Sequence, residues 1–110
     1  MNGKFLGKIV KAEFGSFPDR KFLVGLQLTF KFDGNSHVSD GGRYTINVSD
    51  NCNWETEEDK NVAYQKVLKH LSMVLEEAKV NYVSELINKP IEIEIEGQTF
   101  KSFRILTEVI

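Results

Sequence analysis

The chain reads as an α+β domain, and three stretches predict it. In residues 21–32, KFLVGLQLTFKF, Phe22, Val24, Leu26, Leu28, Phe30 and Phe32 share one parity, with Lys21, Gly25, Gln27, Thr29 and Lys31 on the other. That period of two is what a strand with one buried face requires. Residues 91–96, IEIEIE, repeat the alternation without error. Between these strands, Tyr64, Val67, Leu68, Leu71, Val74, Leu75 and Ala78 form one apolar stripe on a helix of about five turns.

The elements follow in order. Residues 7–14 predict a first strand, with Val10, Ala12 and Phe14 set against Lys8, Lys11 and Glu13 and with Ile9 interrupting the polar side. Residues 15–20, GSFPDR, carry turn chemistry. The strand at residues 21–32 would then run about 40 Å at about 3.3 Å per residue, too long for a compact domain unless it bends. Gly25 is the expected place for a bulge, having no side chain to resist one. Residues 33–42, DGNSHVSDGG, read as a polar loop.

Residues 43–48 predict a third strand with Tyr44, Ile46 and Val48 facing inward and Arg43, Thr45 and Asn47 facing outward. Thr56 is placed to cap the helix, with Glu57, Glu58 and Asp59 at the positive end of its dipole. Asn81 is expected to cap a helical turn over residues 82–87, which Asn88 in a left-handed conformation and the Lys89-Pro90 pair would end. After residues 91–96, Gly97-Gln98 makes a turn and residues 99–106 return as the hairpin partner, leaving residues 107–110 as a tail. The expected architecture is a five-stranded antiparallel curved sheet or an OB-like barrel, β-β-β-α-β-β, with the long helix between strands 3 and 4.

A length of 110 residues suits one domain with one core, here residues 1–110. A net charge of −2 lacks the basic excess of a dedicated duplex-binding protein, although a local patch can sit on a neutral domain. The apolar runs are far shorter than the roughly 20 residues that span a bilayer, and the first residues lack an apolar segment of signal-peptide length. A cytoplasmic protein without membrane contact is expected. Cys52 is the single cysteine, so no internal disulfide forms, and a small hydrophobe is expected there rather than a nucleophile.

Neither His37 nor His70 has a second ligand at metal spacing, and no catalytic motif surrounds them. Glu92, Glu94 and Glu96 offer oxygens from one side only, whereas a hard cation needs convergent ligands. Their expected use is to protect the sheet against pairing with another chain, balanced by Lys101 or Arg104 on the neighbouring strand. No enzyme activity, metal or cofactor is therefore expected. Two binding surfaces are. The outward face of the helix offers Lys66, Lys69 and Met73 to a protein partner, joined by His37 and Asp40 from the long loop. The strands offer Lys21, Lys31, Arg43, Lys101 and Arg104, with Phe103 for stacking, to single-stranded nucleic acid.

Residues 89–110, KPIEIEIEGQTFKSFRILTEVI, preceded by AKVNYVSEL at residues 78–86, resemble the C-terminal end of a family of small, mostly uncharacterised proteins encoded by phages and prophages. The similarity covers about the last third of the chain, and its motifs are structural, so no catalytic residue carries over. The resemblance implies a phage or mobile-element origin and an accessory role in the cytoplasm of a bacterial host. On that basis the expected function is non-enzymatic binding of a protein partner, such as inhibition of a host defence complex in the manner of an anti-CRISPR protein. The alternative is a single-stranded nucleic-acid-binding accessory of phage replication or recombination.

Overall fold

The computed structural model describes residues 2–106. Strands β1 (Gly3–Phe17), β2 (Arg20–Phe32), β3 (Ser36–Ser39) and β4 (Tyr44–Asn47) precede helix α1 (Glu57–Ala78). A 3₁₀ turn (Val83–Leu86) and strands β5 (Pro90–Glu96) and β6 (Thr99–Ile105) follow. The chain is α+β, with one open antiparallel sheet in the order β3-β2-β1-β5-β6, and β4 pairs with the other end of the β2 edge that β3 occupies.

Among the described residues there are six strands where five were expected. The additional one, β3, lies inside the stretch read as a loop, with Val38 opposite Phe30 and His37 opposite Lys31. Four residues with one apolar member carry too little alternation to be seen locally. What forms β3 is the edge of β2, whose backbone groups need partners.

β1 is longer than residues 7–14 because two different strands use it. Its first part pairs with β5 from Gly3 to Lys8, and its second pairs with β2 from Gly7 to Phe17. At the crossover Gly7 lies opposite both Phe32 and Ile91. A Cβ at Gly7 would overlap the Lys31 carbonyl oxygen and stand 2.9 Å from Phe32 Cβ, so only glycine admits the three backbones at this separation. Immediately beyond, the register with β2 shifts between Ile9 and Lys11, leaving Val10 as a bulge. The bulge explains the broken alternation in the sequence, since Ile9 faces inward and is fully buried. Past β5, the backbone of Ile9 is held by the connection into that strand: its N–H donates to Lys89 O and its carbonyl accepts from Asn88 N.

The bend expected at Gly25 is not there. Gly25 pairs in register with Gly15 on one side and Thr45 on the other. Its role is close approach, because a Cβ would overlap the Tyr44 carbonyl oxygen and stand 2.7 Å from Thr45 Cα. The turn expected over residues 15–20 contracts to Pro18-Asp19, since both strands run on to Phe17 and Arg20.

The inward sheet face joins Leu26, Leu28, Phe30 and Phe32 to Ile9, Ala12, Ile91, Ile93 and Ile95, closed by Val74 and Ala78 of α1 and by Leu86. Phe30 stacks on Phe100 at 5.4 Å and packs on Phe103 at 4.9 Å. Each such fully buried side chain contributes about 1.5–3 kcal/mol. Phe22 and Val48, expected inside, remain partly exposed at the far end of the sheet. Thr56 Oγ1 caps α1 by accepting Asp59 N–H at 3.0 Å, and Lys79 ends it in a left-handed conformation.

The face that α1 buries is rotated from the expected stripe. Leu68 is 61% exposed, while His70 turns in to stack on Tyr44 with ring centroids 3.8 Å apart. The position of β4 decides this, because the Tyr44 ring meets the helix where the hydrophobic stripe alone would have put Leu68. After α1, Glu85 rather than Asn81 caps the 3₁₀ turn, its carboxylate taking the N–H groups of Asn81 and Tyr82. Asn88 is left-handed at φ 72°, as expected. Gly97 and Gln98 both have positive φ, the geometry of a two-residue hairpin turn. Among the described residues, no helix is long and apolar enough to cross a membrane.

The glycine pair Gly15–Gly25 gives a direct test of this packing. Gly25→Ala is expected to lower stability by about 3 kcal/mol, the upper end of ordinary overpacking. Gly15→Ala meets nothing within 4 Å and is expected to be neutral or stabilising by up to about 1 kcal/mol. Urea midpoints of the two variants measure the difference.

Candidate functional site

The sheet face turned away from α1 gathers cations that the linear sequence scatters. Lys31 on β2 lies opposite Lys8 on β1 and opposite His37 on β3, forming one row across three strands. The next row is Lys11, Thr29 and Ser39. Residues directly opposite in an antiparallel pair have Cβ atoms about 4.5–5.5 Å apart, and like charges there repel. Among the described residues, neither Lys8 nor Lys31 has a carboxylate at ion-pair distance, whereas Lys11 is paired with Glu13 at 3.3 Å. Asp33 lines the same shallow depression as Lys8, Lys31, Asn88 and Pro90.

The second row runs into a groove of about 270 Å³, lined by Lys11, Gln27, Thr29, Ser39, Gly41 and Phe17. The Arg20 guanidinium sits over the Phe17 ring, 4.7 Å from its centre. Charge and an aromatic surface therefore adjoin on one face. Asp40 ties the wall of this groove to β2: it is buried, Oδ2 accepts Leu28 N–H at 3.0 Å and Oδ1 accepts Gly42 N–H at 3.1 Å. Burial raises its carboxyl above the usual range, against the opposing effect of those N–H groups and of Arg43.

No protein-family model, curated protein or solved structure matches this chain. The geometry therefore has to separate the candidate residues.

Of the residues nominated for nucleic acid, Lys31 is central to the cationic row and Lys21 is exposed near the start of β2. The other four are engaged in the fold. Arg43 donates to the carbonyls of Lys101 and Phe100 and lies 4.8 Å from the Phe100 ring centre, spanning the gap between β4 and β6. Lys101 bridges Glu96 at 3.2 Å and Glu94 at 3.5 Å, and those carboxylates hold its ammonium above its ordinary pKa. Arg104 Nε donates to Glu92 at 3.0 Å. Phe103 packs inward against Phe30 and Tyr44. The glutamate row is thus balanced by β6, as its alternation suggested.

The residues nominated for a protein partner do not converge. Lys66, Lys69 and Met73 are exposed on α1, on one side of the sheet. His37 stands on the other side, in the cationic row. Asp40 is a correction: with both carboxylate oxygens bonded to backbone N–H groups and 5% exposure, it holds the loop together and presents nothing to a partner. Lys8 and Lys11 are the functional candidates that sequence reasoning missed. They read as the polar side of a strand, and only the bulge at Val10 and the presence of β3 put Lys8 in the row of Lys31 and His37 and Lys11 in the row beside it, on the same face.

His70 is half-buried on Tyr44, and its Nε2 is buried without a hydrogen-bond partner among the described residues. Burial lowers its imidazole below the ordinary 6.5. For a group whose folded pKa is depressed, the stabilisation is complete above the unfolded value and is lost as pH falls through the folded one. Wild type is therefore expected to lose stability below about pH 6.5 relative to His70→Phe, which keeps a ring on Tyr44 but cannot titrate. Urea midpoints of both proteins at about pH 7.5 and about pH 5 give the comparison, with the expected gap at the lower pH.

Proposed function

We propose that this chain binds single-stranded nucleic acid across the outward face of β1, β2 and β3. The observation that carries the reading is the row Lys8, Lys31 and His37, in which neither lysine has a carboxylate at ion-pair distance among the described residues, on the same face as the groove that Lys11, Phe17 and Arg20 line towards the far end of the β1–β2 hairpin. Two adjacent lysines and a histidine suit a phosphate backbone, and the Phe17 ring further along the face suits a base, whatever its identity. The binding would be local and modest in affinity, consistent with a net charge of −2.

The strand order supports an OB-like reading of the sheet, as a barrel left open between β3 and β6 with the Arg43 side chain across the gap. In barrels of that kind the second and third strands form the oligonucleotide surface, which corresponds here to β2 and β3. The resemblance of residues 89–110 to phage-encoded proteins fits a non-catalytic accessory of phage replication or recombination, working in the bacterial cytoplasm. A second reading rests on α1: Leu68, Met73 and Val62 are 61%, 49% and 42% exposed, with Lys66 and Lys69 among them. That surface favours docking of a protein, and inhibition of a host defence complex is the form such docking would take.

Anisotropy of a labelled oligothymidylate of about 20 nucleotides tests the first reading. Binding is expected in low salt with a log–log salt slope of about −2, since about three single-strand phosphate contacts contribute about −0.7 each. Lys8→Glu combined with Lys31→Glu is expected to weaken binding at least about tenfold, whereas Lys101→Ala, whose ammonium is held by glutamates, changes it little. No binding at low salt, or unchanged binding by the folded double variant, contradicts the reading and leaves the helix surface as the better candidate.

A further inference from the structure

The two strands that flank β1 leave part of it uncovered. Pairing with β5 ends at Lys8, while pairing with β2 runs on to Phe17. At Ile9 the vacated edge is taken by the backbone of Asn88 and Lys89. Beyond it, residues 11–17 have no strand on the β5 side among the described residues. The direction of their backbone groups follows from β2. Leu28 bonds Asp40 through both its N–H and its carbonyl, away from β1, so Ala12, the residue opposite Leu28, also points away from the β1–β2 ladder. By alternation Phe14 and Ser16 do the same. Unpaired strand backbone of this kind is a template for another strand.

The other free edge of similar length, on β6, is engaged by Arg43, which donates to the carbonyls of Phe100 and Lys101. β3 and β4 are short strands laid on β2. The β1 edge is also where the inward face is left incomplete. Phe14 lies directly opposite Leu26 on that face, yet Phe14 is 42% exposed while Leu26 is fully buried. An apolar ring beside open backbone groups suits a strand that brings an apolar residue of its own.

We propose that this edge takes the same strand of a second copy of the chain, antiparallel, about a twofold axis through Phe14. In that register Ala12 lies opposite Ser16 of the second copy and Phe14 opposite Phe14, and each such pair exchanges two backbone hydrogen bonds, about six in all. Lys11 faces Phe17 and Glu13 faces Gly15, so no like charges are opposed. Neighbouring registers are worse. A shift toward Ile9 sets Glu13 against Glu13 and drives the second copy into the Asn88–Lys89 connection. A shift the other way loses a bonded pair and parts the two Phe14 rings. The ends fit too: the Asn88–Lys89 connection bounds the edge before Lys11 and the Pro18-Asp19 turn bounds it after Phe17, so each copy fills the free run of the other. This match in length, charge and apolar content selects a second copy over an unrelated extended peptide. The association uses backbone groups and the inward face, so it does not rest on the nucleic-acid reading of the outward one.

Sedimentation equilibrium of the wild-type protein tests the proposal. The monomer is expected to give way to a species of twice its mass, with Kd on the order of 10 µM. Phe14→Lys sets two ammonium groups against each other at the axis, on a side chain already half-exposed in the monomer, and is expected to weaken association at least about tenfold. The register is read by cross-linking in a Cys52→Ser background, which removes the single native thiol. Phe14→Cys is expected to form a covalent dimer on mild oxidation, because directly opposed residues place their Cα atoms about 5.5 Å apart, within reach of a disulfide. Phe22→Cys, similarly exposed but far from the axis, is expected to stay monomeric under the same treatment. This pair of variants decides the register however Phe14→Lys folds. A folded wild type that remains monomeric at about 200 µM overturns the proposal. So does a dimer that folded Phe14→Lys forms with wild-type affinity, or one that Phe22→Cys cross-links as readily as Phe14→Cys.

Discussion

Everything in this fold depends on β1 serving two neighbours. One strand cannot lie beside both β2 and β5 on a single edge, so β1 offers each of its edges in turn, the first to β5 and the second to β2, with an overlap at Gly7 and Lys8. Close approach at that overlap excludes any Cβ at Gly7, and the bulge at Val10 immediately follows it. Between them these two features turn the sheet around Ile9, whose side chain is fully buried and whose backbone is bonded to the connection into β5. The hairpin of β1 with β2 and the hairpin of β5 with β6 thereby share one core, which α1 covers.

The distribution of charge over the surface follows from the same geometry. On the β5–β6 side, Glu92, Glu94 and Glu96 are answered across the strand pair by Arg104 and Lys101, so that part of the sheet is electrically balanced and engaged with itself. On the β1–β2–β3 side, the bulge resets the parity of β1 and lets Lys8 stand beside Lys31, while β3 supplies His37. A sheet whose total charge is close to neutral can then hold one face with an uncompensated basic row. Exposed cations lose little stability by sitting together in water, but they raise the local concentration of anions.

Much of this was legible in the sequence where the signal is local. The parity of residues 21–32 identified Leu26, Leu28, Phe30 and Phe32 as core, IEIEIE identified β5, and Thr56 marked the start of α1. What escaped depends on partners far along the chain. β3 exists because β2 has an edge to cover, and Ser36–Ser39 alone carries no pattern. The helix face was misjudged because hydrophobicity ranks Leu68 above His70, whereas the Tyr44 ring selects the flat imidazole. Arg43, Lys101 and Arg104 looked available because their carbonyl and carboxylate partners lie on other strands or across a turn. Gly25 was correctly singled out as special, but the reason is the approach of β4 and not a bend.

The claim that a shared β1 makes the two hairpins one cooperative unit is tested most directly by native-state amide hydrogen exchange. Ile9 at the turn, Phe30 on β2 and Ile93 on β5 each lie on a strand paired on both sides or bonded to the chain entering β5. The account predicts that these three amides exchange with the same free energy, equal to that of global unfolding. Protection of Phe30 and Ile93 at values differing by more than about 1 kcal/mol, with Ile9 following only one of them, would show two units that open separately and would contradict it.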